Sequence, residues 1–214
     1  MDRDAVIATY RHLRAIAVKH NSGVLRHVSR PGWMEQARRL GLLMGKNTIV
    51  AGSEDEMTLI FDLAIYSPRQ GRPRPIELYR RAARLAPDSD EARVLDAMCA
   101  ARFAICRVEA WHESAGVVVR DLLRDAELWL MDLGMEATAD EGACFASHLI
   151  TPDAYSMTTG VVVPVDRDIL EDALDDMPPA RHASPDVMAA DPLFATLVYR
   201  AALLDGAMER IAFA

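Results

Sequence analysis

Apolar positions along the chain follow two rhythms. In the middle, from Ala104 to Val165, they come as short runs rich in β-branched residues: Val117-Val118-Val119, Leu128-Trp129-Leu130, Phe145 to Ile150 and Val161-Val162-Val163. Turn residues separate the runs, among them Glu113-Ser114-Ala115-Gly116, Arg124-Asp125, Ala139 to Gly142 and Thr151-Pro152-Asp153. About five strands at roughly 10–15-residue spacing, with no helical pattern between them, predict a small antiparallel five-stranded barrel of SH3-like type. A barrel closes its own edges, so such a unit folds as one piece.

On either side the rhythm is helical. Asp4 is a candidate N-cap, and Val6, Tyr10, Leu13 and Ala17 follow at helical spacing. Asn21-Ser22-Gly23 can end or interrupt this helix, and Ser29-Arg30-Pro31-Gly32 ends it. Met34 to Met44 predicts a second helix, capped at its C-terminus by Gly45, and Thr48 to Ala51 a short extended piece. Ser53-Glu54-Asp55-Glu56 is the clearest local signal. Ser53 Oγ can accept from the Glu56 N–H while the Glu56 carboxylate returns to the Ser53 N–H, a capping box. Met57, Ile60, Phe61, Ala64 and Ile65 then repeat along one face, to about Tyr66.

A helix from Pro75 through Leu85 follows a loop over Ser67 to Pro75. Another, capped by Asp88 or Ser89, runs from Asp90 to about Phe103. After the strand-rich stretch, Asp166 to Asp176 reads as a short acidic helix stopped by Met177-Pro178-Pro179, and Ala180 to Pro185 as linker. Asp191-Pro192 supplies an N-cap with proline at the first helical position. The last helix carries Phe194, Leu197, Val198, Ala201, Leu204 and Met208 on one side.

The fold class is therefore α+β: a mostly helical part over 1–103, the small barrel over 104–165 and an acidic helical tail over 166–214. Hydrophobic residues make up 51% of the 214, enough for a core without staples. No apolar segment approaches the roughly 20 residues of a membrane span, and no secretory segment follows Met1-Asp2-Arg3-Asp4. Cys99, Cys106 and Cys144 have neither disulfide nor metal spacing. These features predict a soluble cytoplasmic protein with buried free thiols and no structural zinc.

Charge is distributed unevenly. The net charge is −8, yet residues 1–120 hold 19 Lys and Arg against 14 Asp and Glu, and residues 121–214 hold 5 against 18. Between Ala5 and Ser53 stand eight basic residues and a single acid, Glu35. Such a split suits a basic surface for nucleic acid with an acidic tail that covers it. It equally suits two halves that complement each other in the fold.

Three blocks carry a resemblance. They are Leu40-Gly41-Leu42-Leu43 with Thr48-Ile49-Val50 and Ser53-Glu54-Asp55-Glu56-Met57; Arg120-Asp121-Leu122-Leu123 with Leu130-Met131-Asp132; and Met157-Thr158-Thr159-Gly160 ending at Pro164-Val165. Together they resemble a group of poorly characterised bacterial proteins that often end in an SEC-C-type zinc motif. The similarity spans roughly Val6 to Val165 and implies no activity. The zinc tail of that group needs closely spaced cysteines; no cysteine follows Cys144, so the tail is absent here.

Candidate chemistry is sparse. Gly41 to Thr48 superficially resembles a phosphate-binding loop, but only three residues separate the glycines, and Asn47 stands where Ser or Thr must follow the lysine. His12, His20 and His27 share a helical side yet lie about 12 and 22 Å apart along the axis, too far to share one metal. His112-Glu113 lacks the second histidine of a zinc protease motif, and no Gly-x-Ser-x-Gly elbow is present. Asp121 and Asp132 can face each other across adjacent strands or stabilise turns.

Trp33, close to Arg30, Arg38 and Arg39, is the candidate stacking surface for single-stranded nucleic acid, or it plugs the gap between the first helices. Arg69, Arg72 and Arg74 form a second basic group in an exposed loop. No acid, base and oxyanion donor assemble. The function expected is a non-catalytic protein-interaction or regulatory role, without a cofactor and with a protein partner. Nucleic-acid binding through the basic half is the alternative, and an enzyme of unrecognised type the third reading. The sequence leaves the oligomeric state open.

Overall fold

A computed structural model describes residues 2–45, 48–67, 72–178 and 184–210. The N-terminal half is helical: α1 (Arg3–Leu25), α2 (Arg30–Arg39), a two-residue hairpin of β1 (Leu43–Met44) and β2 (Thr48–Ile49), then α3 (Glu54–Tyr66), α4 (Pro75–Ala82) and α5 (Asp90–Cys99). The sheet follows, with β3 (Arg102–Trp111), β4 (Val117–Asp121), β5 (Ala126–Leu130), helix α6 (Leu133–Thr138), β6 (Cys144–Ile150), β7 (Met157–Thr158) and β8 (Val163–Pro164). The chain ends with α7 (Arg167–Asp175), α8 (Pro185–Ala190), α9 (Pro192–Leu204) and a 3₁₀ turn, Ala207–Arg210.

The caps explain most boundaries. Asp2, rather than Asp4, caps α1 by accepting from the Asp4 N–H. The helix also runs through Asn21-Ser22-Gly23, with Val24 fully buried on its inner face. Ser29 caps α2, which begins four residues earlier than its apolar pattern suggested and ends at Arg39. Its C-terminal signal is Gly41, not Gly45. The Leu42 N–H donates to the Ala37 carbonyl and the Gly41 N–H to the Arg38 carbonyl, with Gly41 at φ +80°, a Schellman motif. Gly45 instead follows β1 in the turn toward β2.

Ser53 accepts from the Glu56 N–H at 3.2 Å, and α3 ends at Tyr66. The returning Glu56 carboxylate accepts from Gly52, at 2.6 Å, rather than from Ser53. α4 and α5 are shorter than their patterns suggested. Arg102 and Phe103 are drawn out of α5 into β3, where they pair with Leu149 and His148.

The sheet is antiparallel, ordered β5-β4-β3-β6-β7, with β8 also on β6. It has six strands where five were expected, because β7 was not visible as an apolar run and Val161-Val162-Val163 contributes only its last residue, to β8. The sheet curls. At one end Ser156, just before β7, accepts from the Met131 N–H and donates its own N–H to the Trp129 carbonyl, both at 2.8 Å. A parallel bridge thus joins the β5 end of the sheet to the β7 end.

Helix α6, between β5 and β6, was not foreseen. It is six residues long, too short to display a period, and Asp132 caps it through the N–H groups of Gly134 and Met135.

Alternation along β3 and β6 places the core. Ala104, Cys106, Val108, Phe145 and Leu149 fill the inside of the curl with Val117, Val119 and Leu130. Phe103, Ile105 and Ala146 face the other way, onto α3, α7 and α9, among Leu59, Leu63, Ile169, Phe194 and Val198. β6 is buried on both faces from Phe145 to Ile150, which is why it reads as a continuous apolar run.

The C-terminal helices complete this layer. Asp166, read as the first residue of the acidic helix, instead caps α7 through the Ile169 N–H, and Asp191 caps α9 with Pro192 at its first position, as the sequence predicted. α8 was not foreseen, since its Pro185 lies inside the stretch read as linker; residues 180–183 of that stretch lie outside the described residues. No helix among the described residues is long and apolar enough to cross a membrane.

Candidate binding site

α9 is the element around which the concave surfaces are built. Its inner face is buried through Phe194, Leu197, Val198, Tyr199 and Ala202, and Phe103 of β3 meets Phe194 and Tyr199 edge-on at 5.9 and 5.7 Å. The α8–α9 junction at Ala190, Asp191 and Pro192 then forms a shared wall between two cavities.

The larger is an open cleft of about 1150 Å³ between α2 and α8–α9. Pro31, Val187, Leu193 and Leu197 give it apolar surface, and Arg39, Arg72 and Arg200 bring positive charge. Arg39 pairs with Glu35 one turn away at 2.5 Å, and Arg200 with Asp176 of α7 at 2.5 Å. Gln36, 2% exposed, lines the same cleft, and its side-chain oxygen has no hydrogen-bond partner.

The smaller cavity, about 220 Å³, lies on the other side of the junction. Arg74 reaches it from the start of α4, Arg102 from the start of β3 and Arg124 from the turn between β4 and β5. Two of these guanidiniums are held by one acid. Asp121, fully buried, accepts from Arg124 at 2.9 Å and lies 3.4 Å from Arg102. Asp121 also accepts from the Leu123 N–H, so it stabilises the turn as the sequence suggested, and Asp132 serves as a helix cap. Arg124 further donates to the Phe103 carbonyl, while Arg74 donates to Glu77 and to the Cys99 carbonyl.

His148 of β6 forms part of this cavity, with an acid behind it. Because β6 alternates, His148 falls on the face that meets α3, and Asp62 lies on the buried side of α3. The His148 Nδ1–H donates to Asp62 Oδ2 at 2.6 Å. Thr159 donates to Asp62 Oδ1 at 2.7 Å, and Tyr199 of α9 to Oδ2 at 2.9 Å. Burial, and then the Asp62 charge, push the Tyr199 hydroxyl well above its usual pKa, so it remains a donor. The His148 ring stacks on Tyr66 and meets Phe103 edge-on.

Ser67, 2% exposed at the end of α3, lines the same cavity, and its hydroxyl has no hydrogen-bond partner. Ser67 and His148 therefore do not form a hydrogen-bonded nucleophile–base pair.

The residues singled out from the sequence are divided by the fold. Arg39 and Arg72 come together in the cleft, and Arg74 belongs to the smaller cavity. Arg30 and Arg38 are exposed on α2 and line neither, and Arg69 lies outside the described residues. Trp33 turns inward: its indole N–H donates to the Val28 carbonyl at 3.2 Å and its ring meets Phe61 edge-on at 4.6 Å. It is half-buried and fills the α2–α3 contact.

The three N-terminal histidines do not converge. His12 pairs with Asp90, His20 is buried between Tyr79 and the Glu91 carbonyl, and His27 packs on Tyr79. Among the described residues no three His, Cys, Asp or Glu are placed to hold a metal ion. All three cysteines are free. Only Cys106 is fully buried, which pushes its thiol up to about 12, while Cys99 and Cys144 are half-buried.

Sequence reasoning missed Asp62, His148, Arg102, Arg124 and Ser67. A signal was present for two of them: an acid inside the apolar run Leu59 to Tyr66, and a histidine inside Phe145 to Ile150. Each is a polar residue where the pattern demands an apolar one, and burial of such a group requires a partner.

A model described as a family of unknown function, DUF7986, matches residues 4–183. The chain belongs to that family. The match covers α1 through α7 and so includes Asp62, Ser67, Arg74, Arg102, Asp121, Arg124, His148 and Thr159. Tyr199 and the α9 wall lie beyond the matched segment. No curated protein and no solved structure matches the chain.

Proposed function

We propose that this protein is a non-catalytic binding protein of regulatory type, whose partner is an acidic amphipathic segment of another protein held in the cleft between α2 and α8–α9. One observation carries the reading. The cleft sets Arg39, Arg72 and Arg200 around apolar Pro31, Val187, Leu193 and Leu197, with Glu35 and Asp191 as the acids in its lining. A segment with apolar anchors and carboxylates complements the arginine-flanked apolar surface.

Nucleic acid is the weaker alternative. Its phosphate contacts are available in exposed Arg30 and Arg38. Its stacking anchor, Trp33, is half-buried, with its indole N–H on the Val28 carbonyl and its ring against Phe61.

Purification from the native host, with and without nuclease, tests the reading when run on wild type and on Arg39→Glu/Arg200→Glu. The expected result is a nuclease-resistant protein partner that the double variant loses while still unfolding cooperatively. Nucleic acid on the wild type, or a partner that the double variant retains, would overturn it.

A further inference from the structure

We infer that the 220 Å³ cavity beside His148 is a binding site for a small metabolite carrying a carboxylate or phosphate group. The site is separate from the partner cleft and does not depend on that reading.

Three arginines line it from three elements; among the described residues Asp191, the cap of α9, is the acid in its wall, and Asp186 lies 4.0 Å from the Arg124 Nε. The guanidiniums are pre-positioned rather than free to swing away. Arg102 and Arg124 are tied to fully buried Asp121, and Arg74 to Glu77 and the Cys99 carbonyl. Each guanidinium carries five N–H donors in a planar fork suited to carboxylate and phosphate. The bonds just described engage Nη1 of Arg102, Nη1 of Arg124, and Nε and Nη2 of Arg74. Asp121, Glu77 and Asp186 offset their charge, so an anion is held by the N–H donors that those bonds leave over rather than by net charge.

One uncharged feature points the same way. His148 has its Nδ1–H committed to Asp62, so its other nitrogen is the one left to meet a ligand.

The remaining wall sets the size and character of the ligand. Tyr66, Ala101, Phe103, Ala189 and Ala195 make it apolar, suited to a short carbon skeleton. A volume of 220 Å³ falls below the range of about 300–1,000 Å³ typical of drug-sized ligands. The ligand is therefore a small acid or a small phosphate ester, not a nucleotide.

Isothermal titration of the full chain with inorganic phosphate, and separately with succinate, at constant ionic strength set by chloride, tests the site. At least one probe should bind saturably below about 10 mM. Arg102→Gln should weaken that binding about tenfold or more, and so should Arg74→Gln. Saturation by phosphate alone identifies a phosphate ester as the ligand class, and by succinate alone a carboxylate. No saturable binding of either probe, or unchanged binding in both variants when folded, would overturn the inference.

Discussion

Asp62 on α3 and His148 on β6 stand 2.6 Å apart although 86 positions separate them in the chain. Thr159, before β8, and Tyr199, in α9, donate to the same carboxylate. One buried acid therefore ties together four segments, each of which has its own apolar reason to be there. Leu63 of α3, Ala146 of β6, Val161 beside Thr159 and Val198 of α9 share one core cluster.

Removing that acid should be severe. Asp62→Ala leaves His148, Thr159 and Tyr199 without their common acceptor in a site closed to water. A loss of about 3–5 kcal/mol is expected, the usual cost of breaking one side of a buried polar pair. Tyr199→Phe removes a single donor and should cost about 1.5–3 kcal/mol. Urea denaturation of the two variants beside wild type measures both, and equal midpoints in all three would show that the cluster contributes nothing to stability.

Ser53→Ala should lower stability by about 0.5–2 kcal/mol, because the Glu56 N–H loses its acceptor at the head of α3. The cap is exposed and remote from both cavities, so phosphate or succinate affinity should stay at the wild-type value. Chemical denaturation together with titration separates the two effects.

Low pH should destabilise the fold through His20. Its Nε2–H donates to the Glu91 carbonyl and its Nδ1 accepts from the Tyr79 hydroxyl, an arrangement for the neutral ring. Burial first, and Lys19 after it, hold its pKa below the ordinary 6.5, against the opposing pull of Glu91. Below 6.5 the unfolded chain therefore binds a proton that the folded chain resists. The stability from neutral His20 is complete above about 6.5 and declines as pH falls below it. Thermal midpoints measured between pH 7.5 and 5.5 should fall in wild type and fall less in His20→Gln. Parallel profiles for the two proteins would remove His20 from the account.

Truncation after Val165 should abolish cooperative unfolding rather than merely release an acidic tail. Ile169, Ala173, Met177, Phe194, Val198 and Tyr199 are all at most 2% exposed. They pack on Leu59, Leu63 and Phe103, residues that the truncated chain would leave uncovered. Near-uv circular dichroism and solubility report the outcome, and a soluble truncated protein with a sharp transition would contradict it. The acids of α7 support the same view: Asp176 pairs with Arg200 and Glu171 with Arg167, both in its own half of the chain.

What the sequence determined by itself is local and close-range. The Ser53 cap, the acidic α7 stopped by Met177-Pro178, the Asp191-Pro192 start of α9 and the runs of β4, β5 and β6 all rest on interactions within a few residues. Short elements escaped the same reasoning. α6 and α8 have six residues each and β7 has two, too few to establish a period.

The tertiary structure alone decided which charges meet. Arg39 and Arg72 share a cleft while Arg74, two residues beyond Arg72, belongs to another cavity, because the chain passes from a loop into α4 between them. Trp33 meets Phe61 edge-on because the crossing of α2 on α3 selects its side. The cavity beside His148 needs α3, α4, β3, the β4–β5 turn, β6 and the α8–α9 junction in place at once. Hydrophobic burial sets those positions without direction, and hydrogen bonds among residues far apart in the chain then select the geometry. No window along the sequence contains Asp62 and His148 together, so only the folded chain could pair them.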